Sequence, residues 1–554
     1  MGISIDADVV LLSGTVLTVA CENPRAEAVA IKDGKILWVG KNDEARTAIG
    51  KGTTVRNLKG LTVVPGFNEA HNHTLQFGSI LSGIDLHAAS SMDEILSLVR
   101  ERTLRQPEGT WVLGAGINQA RLKEARLPTH RDLDRVSPDH PVSLKHTSMH
   151  VMVANSRALA LAGITSKSPN PPGGEICRDT KGEPTGVLLE FPAMDLVEEK
   201  IPKPSHAELV GFLRRANDQL VSEGITSATD AAVGALVGVP RQVAAYQDAV
   251  EKGSLKVRHN LSIWGNVLVD YDLIDQALDE IEWKLLGMGI RSGLGNENLR
   301  IGPFKFVPDG ALSMGTAVTY EPYGIDPHHQ TTGVFVIAPE KMAKVASTVH
   351  RLGWQLAIHA IGDRTLDAAI DIIDKALQGD ERKKDARPRI EHCVMVNPRM
   401  IKRFAELGII AVVQPGFIWG IGDNYIRQLG ASRAAHTIPF RTLLDHDIVV
   451  AFSSDRPVVD GAPILGIHAA VNQKTMTGED YAADQRISVE EALKCYTLNG
   501  AYATFEEKIK GSIERGKLAD LAVLSEDPTR VPPEKIKDIQ VLATMIDGNF
   551  VFER

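Results

Sequence analysis

His71 and His73 stand one residue apart in the stretch 61–74, LTVVPGFNEAHNHT. Leu61, Thr62, Val63 and Val64 form a short apolar β-type run that turns at Pro65-Gly66. In an extended segment the side chains at i and i+2 share a face, so the two imidazoles can address one point in space. Imidazole suits zinc and its neighbours. An H-x-H pair alone is weak evidence, because the chain holds 17 histidines and bare motifs often mislead. Further ligand-type residues lie at the ends of apolar segments downstream. They are Lys305 in RIGPFKF, His359 in QLAIH, His392 in RIEH and Asp455 in IVVAFSSD.

These residues need elements to position them. From Gly224 onward short apolar runs alternate with helical stretches: GITSATDA, KVRHNLSIW, LRIGPFKFVPDG, WQLAIHAIGD, RIEHCVMV, GIIAVVQPG and DIVVAFSSD. With LTVVPGF as the first, this makes eight strands, and repeated strand–helix units imply a parallel sheet closed as a (β/α)8 TIM barrel. Chemistry in such barrels collects at the C-terminal ends of the strands. Each candidate has an ordinary explanation: His359 as a barrel histidine, Lys305 paired with Asp309, Asp455 capping the next helix. Their coincidence at one rim does not.

Residues 6–60 read as short strands with turns, and LADLAVLSED and QVLATMIDGNFVFER mirror them at the far end. Residues 1–60 and 512–554 are therefore expected to form one composite β-sandwich. Residues 61–86 and 221–511 make the barrel, and 87–220 a cap inserted after strand 1. The Pro/Gly-rich PNPPGGEICRDTKGEPTGVL belongs to that cap.

A chain of 554 residues suits a large barrel with accessory domains. The net charge of -9 is mild and argues against a nucleic-acid partner. No apolar stretch reaches the roughly 20 residues that cross a bilayer, so no membrane partner is expected. Cys21, Cys177, Cys393 and Cys495 are scattered, as in a reduced, cytoplasmic protein. The start, MGISIDADVV, lacks signal-peptide features, and Ile5 and Asp6 miss the myristoylation pattern. No Gly-rich phosphate loop follows the first strand, which argues against a nucleotide-dependent enzyme.

PGFNEAHNH, GEPTGVLLE, GITSATDA, GPFKFVPDGALSMGTA, QLAIHAIGD, RIEHC, VVQPGF, VAFSSDRPV and GSIERGKLADLAVL run across nearly the whole chain. In these stretches the sequence resembles the amidohydrolase superfamily of metal-dependent hydrolases, in its amidohydrolase-3 (YtcJ-like) branch. The resemblance implies one or two divalent metals per chain, with His71, His73 and Asp455 binding the more buried one and His359 and His392 the second. Lys305 matches the position where a lysine is carboxylated and bridges both, with Glu190 of GVLLEF as the alternative bridge. Zinc is the first choice of metal; manganese, iron and nickel fit the same ligands. A homodimer is the expected assembly.

The mechanism expected is attack on a C–N bond by metal-activated hydroxide, with Asp455 shuttling the proton. The substrate is expected to be a small amide, N-acyl or N-formyl compound, hydrophobic or aromatic. Esters, lactones and carbamates are alternatives on the same site. A non-catalytic barrel-fold binding protein would carry a degraded ligand set, whereas here every ligand position is filled. His150, which matches a histidine recurring in this branch, Met314, Phe417 and Trp419 are candidate substrate contacts.

Overall fold

The structure is a computed structural model and describes residues 5–119, 121–269, 289–323, 331–381 and 385–554. Residues 1–4, part of the start read above for targeting signals, lie outside the described residues.

Eight parallel strands form the barrel in sequence order: Phe67–Asn72, Ile225–Val233, Arg258–Trp264, Leu299–Phe306, Leu356–Ala360, Arg389–His392, Ile410–Val413 and Val450–Phe452. Most of their residues are buried, which is why these segments read as continuous apolar runs. Helices such as His206–Ser222, Asp363–Ala376 and Pro398–Leu407 cover the outside. The first of these starts at a capping box, in which Ser205 and Glu208 satisfy each other's amides. The seam between the last and first strands closes through two backbone bonds: the Asp455 amide donates to the His71 carbonyl at 2.8 Å and the His73 amide to the Arg456 carbonyl at 2.8 Å. The barrel is thus sealed at the residues of interest.

The first barrel strand begins later than the sequence suggested. Thr62–Pro65 pairs with Leu521–Leu524 and Thr15–Leu17, in a six-stranded sheet built from both ends of the chain. Gly66 divides the two roles, and Phe67–Asn72 turns into the barrel. A second, four-stranded sheet of residues 9–57 packs on the first, sharing a core that includes Leu11, Val29, Val63, Leu521 and Met545. Residues 84–189 form another six-stranded sheet with its own core around Ile95, Val112, Val142 and Leu144. Among the described residues no helix is long and apolar enough to cross a membrane.

Candidate metal centre

His71 lies in the first barrel strand and His73 just past its end; their rings meet edge to face at 5.5 Å. Both Nε2 atoms converge on one oxygen of Asp455: Oδ1 is 3.3 Å from His71 and 3.0 Å from His73. The three residues offer ligand atoms within 4.8 Å of one another. His392 packs on His71 with ring centres 4.9 Å apart, and His359 on His392 at 4.4 Å. Lys305 joins these residues in the lining of one cavity of about 440 Å³. The six residues thus meet at the C-terminal rim of the barrel.

The cluster fits a cation. Asp455 Oδ1 and His73 Nδ1 are buried without a hydrogen-bond partner, although buried polar atoms are rarely left so. Burial alone would raise the Asp455 carboxyl, but the adjacent His71 and His73 rings overcome it and hold the group well below the carboxylate range. Burial, with His359 beside it, pushes the His392 imidazole well down, toward the neutral form that binds metal. Burial also lowers the Lys305 amine to about 8, against the pull of Glu391 and Asp455. A neutral amine is what carbamate formation requires.

A second layer orients these ligands. His71 Nδ1 donates to Glu391 Oε2 at 2.5 Å, which leaves Nε2 free to coordinate. Glu391 is fully buried, and Arg389 grips it through Nε and Nη2 at 2.8 and 3.1 Å. Burial would raise the Glu391 carboxyl, but Arg389 and His71 hold it well down. His392 Nδ1 donates to Gln414 Oε1 at 3.0 Å. Glu69 Oε1 accepts from the His71 and Ser454 amides, both at 3.0 Å, tying the first strand to the last; burial lifts its pKa to about 7. The sequence reading missed Glu391, Gln414 and Glu69. For Glu391 and Glu69 the available signal was an ionisable residue near a candidate histidine, in RIEH and NEAH; Gln414, in VVQPG, carried no such signal.

The substrate candidates separate. His150 lines the cavity. Phe417 stands behind the site, 2% exposed and stacked on the His392 ring at 6.2 Å. Trp419 lines a different cavity of about 520 Å³ with Phe77, Arg456 and Met476. Met314, in the short helix Leu312–Met314, is not part of the cavity wall. The aromatic wall beside the ligands is instead Phe191 from the cap and Trp264 from the third strand, 5.9 Å apart. Glu190 sits against His150 rather than among the ligands, with Oε2 2.7 Å from His150 Nδ1.

The sequence matches the model of the Amidohydrolase family over residues 54–552. It is 32% identical over 547 residues to YtcJ of Bacillus subtilis (strain 168), covering 98% of each chain. It is 30% identical over 565 residues to the N-substituted formamide deformylase of Arthrobacter pascens, covering 99% of this chain and 98% of the other. An uncharacterized metal-dependent hydrolase from Pyrococcus horikoshii OT3 shares its fold with a TM-score of 0.74 at 26% identity, over 95% of this chain and 99% of that one. The chain belongs to the amidohydrolase family: it is a metal-dependent hydrolase acting on carbon–nitrogen bonds other than peptide bonds.

Proposed function

We propose that the enzyme hydrolyses the C–N bond of a small amide, an N-acyl or N-formyl compound with an apolar or aromatic substituent, N-substituted formamides first among them. The observation that carries this reading is the cavity. Its floor is the His/Asp/Lys cluster, and one part of its wall is apolar and aromatic, through Phe191, Trp264, Leu236 and Ile337, beside the charged Lys145, Asp195 and Glu198. A volume of about 440 Å³ suits a small ligand. The similarity to a formamide deformylase along nearly the full length of both chains supports the same class.

His71, His73 and Asp455 would hold one divalent cation, and His359 and His392 a second, with carboxylated Lys305 as the bridge; zinc is our assignment. Bound there, the metal supplies Lewis acidity, polarising the substrate carbonyl and lowering the pKa of water toward neutrality. Asp455 accepts the proton that the attacking water loses and delivers it to the leaving nitrogen as the C–N bond breaks. One carboxylate oxygen faces both His71 and His73, while the other, Oδ2, lies 3.9 Å from His392 Nδ1, so Asp455 stands at the centre of the cluster. The products are a carboxylate and an amine. Phe191 and Trp264 take the nitrogen substituent.

The test is a panel of formanilide, acetanilide and phenyl acetate on protein reconstituted with zinc. Formanilide is expected to turn over fastest. Ester hydrolysis with no amide turnover would overturn the C–N assignment.

A further inference from the structure

The cap places one ionisable pair at the wall of the cavity that holds the candidate ligands, and the backbone is strained to do so. His150 is 9% exposed and lines the cavity that holds all six ligands. Its Nδ1 donates to Glu190 Oε2 at 2.7 Å. Nε2 has no protein partner among the described residues, so it is the nitrogen left for a ligand in the cavity.

Glu190 joins the strand Pro184–Leu189 to the helix Phe191–Glu198 with φ 64° and ψ 159°. That region is normally left to glycine, and such conformations persist only where the surroundings enforce them, typically at functional sites. Met149, the residue before His150, also takes a positive φ of 63°. The Glu190 amide donates to the His150 carbonyl at 2.8 Å, so backbone and side chain of one strained residue both grip His150. The other Glu190 oxygen reaches the barrel: a Cβ built on Gly310 would lie 3.3 Å from Oε1. The Gly310 carbonyl is in turn 3.2 Å from His359 Nε2. Glu190 therefore lies against the rim loop that follows Lys305. Burial opposes a charge on His150, but Glu190 overcomes it and raises the imidazole above its ordinary value.

We propose that His150 is a catalytic electrophile, donating from Nε2–H to the oxygen of the scissile carbonyl as negative charge develops on it, with Glu190 as its positioning residue. This deepens the amidohydrolase reading above and rests on it. A donor aimed at developing charge acts more on the transition state than on the bound substrate.

Two measurements test it, on zinc-loaded full-length protein. In formanilide hydrolysis, His150→Ala is expected to lower kcat about 100-fold with KM changed less than about 3-fold. His150→Gln, which keeps an N–H donor, recovers part of the loss, and Glu190→Gln lowers kcat about 10-fold. In calorimetric titration with phenylphosphonate, a tetrahedral anion, His150→Ala is expected to weaken binding about 100-fold relative to wild type. If formanilide is not hydrolysed by the wild type, the function proposed above fails while the titration still decides the dyad. Equal phenylphosphonate affinity in wild type and His150→Ala, or no binding to the wild type, overturns the dyad. So does a His150→Ala effect confined to KM.

Discussion

Asp455 faces two imidazole nitrogens with an oxygen that no hydrogen bond satisfies, and its backbone adopts a φ of 57°. A carboxylate so placed can bind a cation and move a proton, and the two roles separate by substitution. Asp455→Asn keeps a coordinating oxygen but cannot accept the proton. It is expected to retain most of the bound metal while kcat falls about 10³-fold, by elemental analysis beside steady-state kinetics. Near-full turnover would remove Asp455 from proton transfer. The gathering of the six candidates at one rim was legible because coordination chemistry restricts residue type and the barrel restricts position. Glu391 stands beside a candidate in RIEH, but its partner His71 lies 320 residues away, so the pairing depends on barrel closure and not on local pattern. Phe417 and Trp419 misled for a different reason. The chain after the seventh strand winds at once into the helix Gly416–Leu429, which sends Phe417 behind His392 and Trp419 into a separate cavity.

The eight strands could be counted from sequence because buried parallel strands are uniformly apolar and lie between amphipathic helices. What did not show was the partition of the first segment. Val63 and Val64 satisfy a sandwich strand as well as a barrel strand, and the division rests on Gly66. A Cβ there would lie 2.2 Å from Thr226 Oγ1 and 2.3 Å from its Cγ2, inside the second barrel strand. Gly66→Ala is expected to cost about 2–3 kcal/mol in denaturant unfolding. Thr226→Ala should restore part of that loss in the double variant, since it removes the two nearest atoms. An additive pair of effects would mean that the clash is relieved elsewhere. The cap was the least legible element, because its short strands mix parallel and antiparallel pairing and its key contact joins residues 40 apart in sequence.

The molecule joins a barrel, a sandwich drawn from both termini and a cap, and the candidate metal centre lies where the first barrel strand leaves the sandwich and meets the last. Arg258, 2% exposed at the start of the third barrel strand, fixes the sandwich to the barrel floor by a two-pronged bond to Asp520 at 2.7 and 3.0 Å and a further bond to Asp547 at 2.5 Å. Beside it His259 is buried with Nδ1 on the Val257 carbonyl and Nε2 unpartnered, and burial pushes its pKa down to about 4. The unfolded chain, with an ordinary histidine near 6.5, binds more protons than the folded one between those values. Stability is therefore full above about pH 6.5 and falls as the pH drops toward 4, by about 1.4 kcal/mol per unit for this group. Chemical denaturation of wild type and His259→Leu across pH 6.5 to 4.5 should give a shallower pH slope in the variant by about that amount; identical slopes would exclude His259 as the source. The lysine bridge from the fourth strand that we propose predicts a definite metal content. Elemental analysis of the wild type is expected to find two equivalents of a zinc-like metal, falling to one or fewer in Lys305→Ala. One equivalent in both proteins, or none in either, would rule out a centre bridged by Lys305.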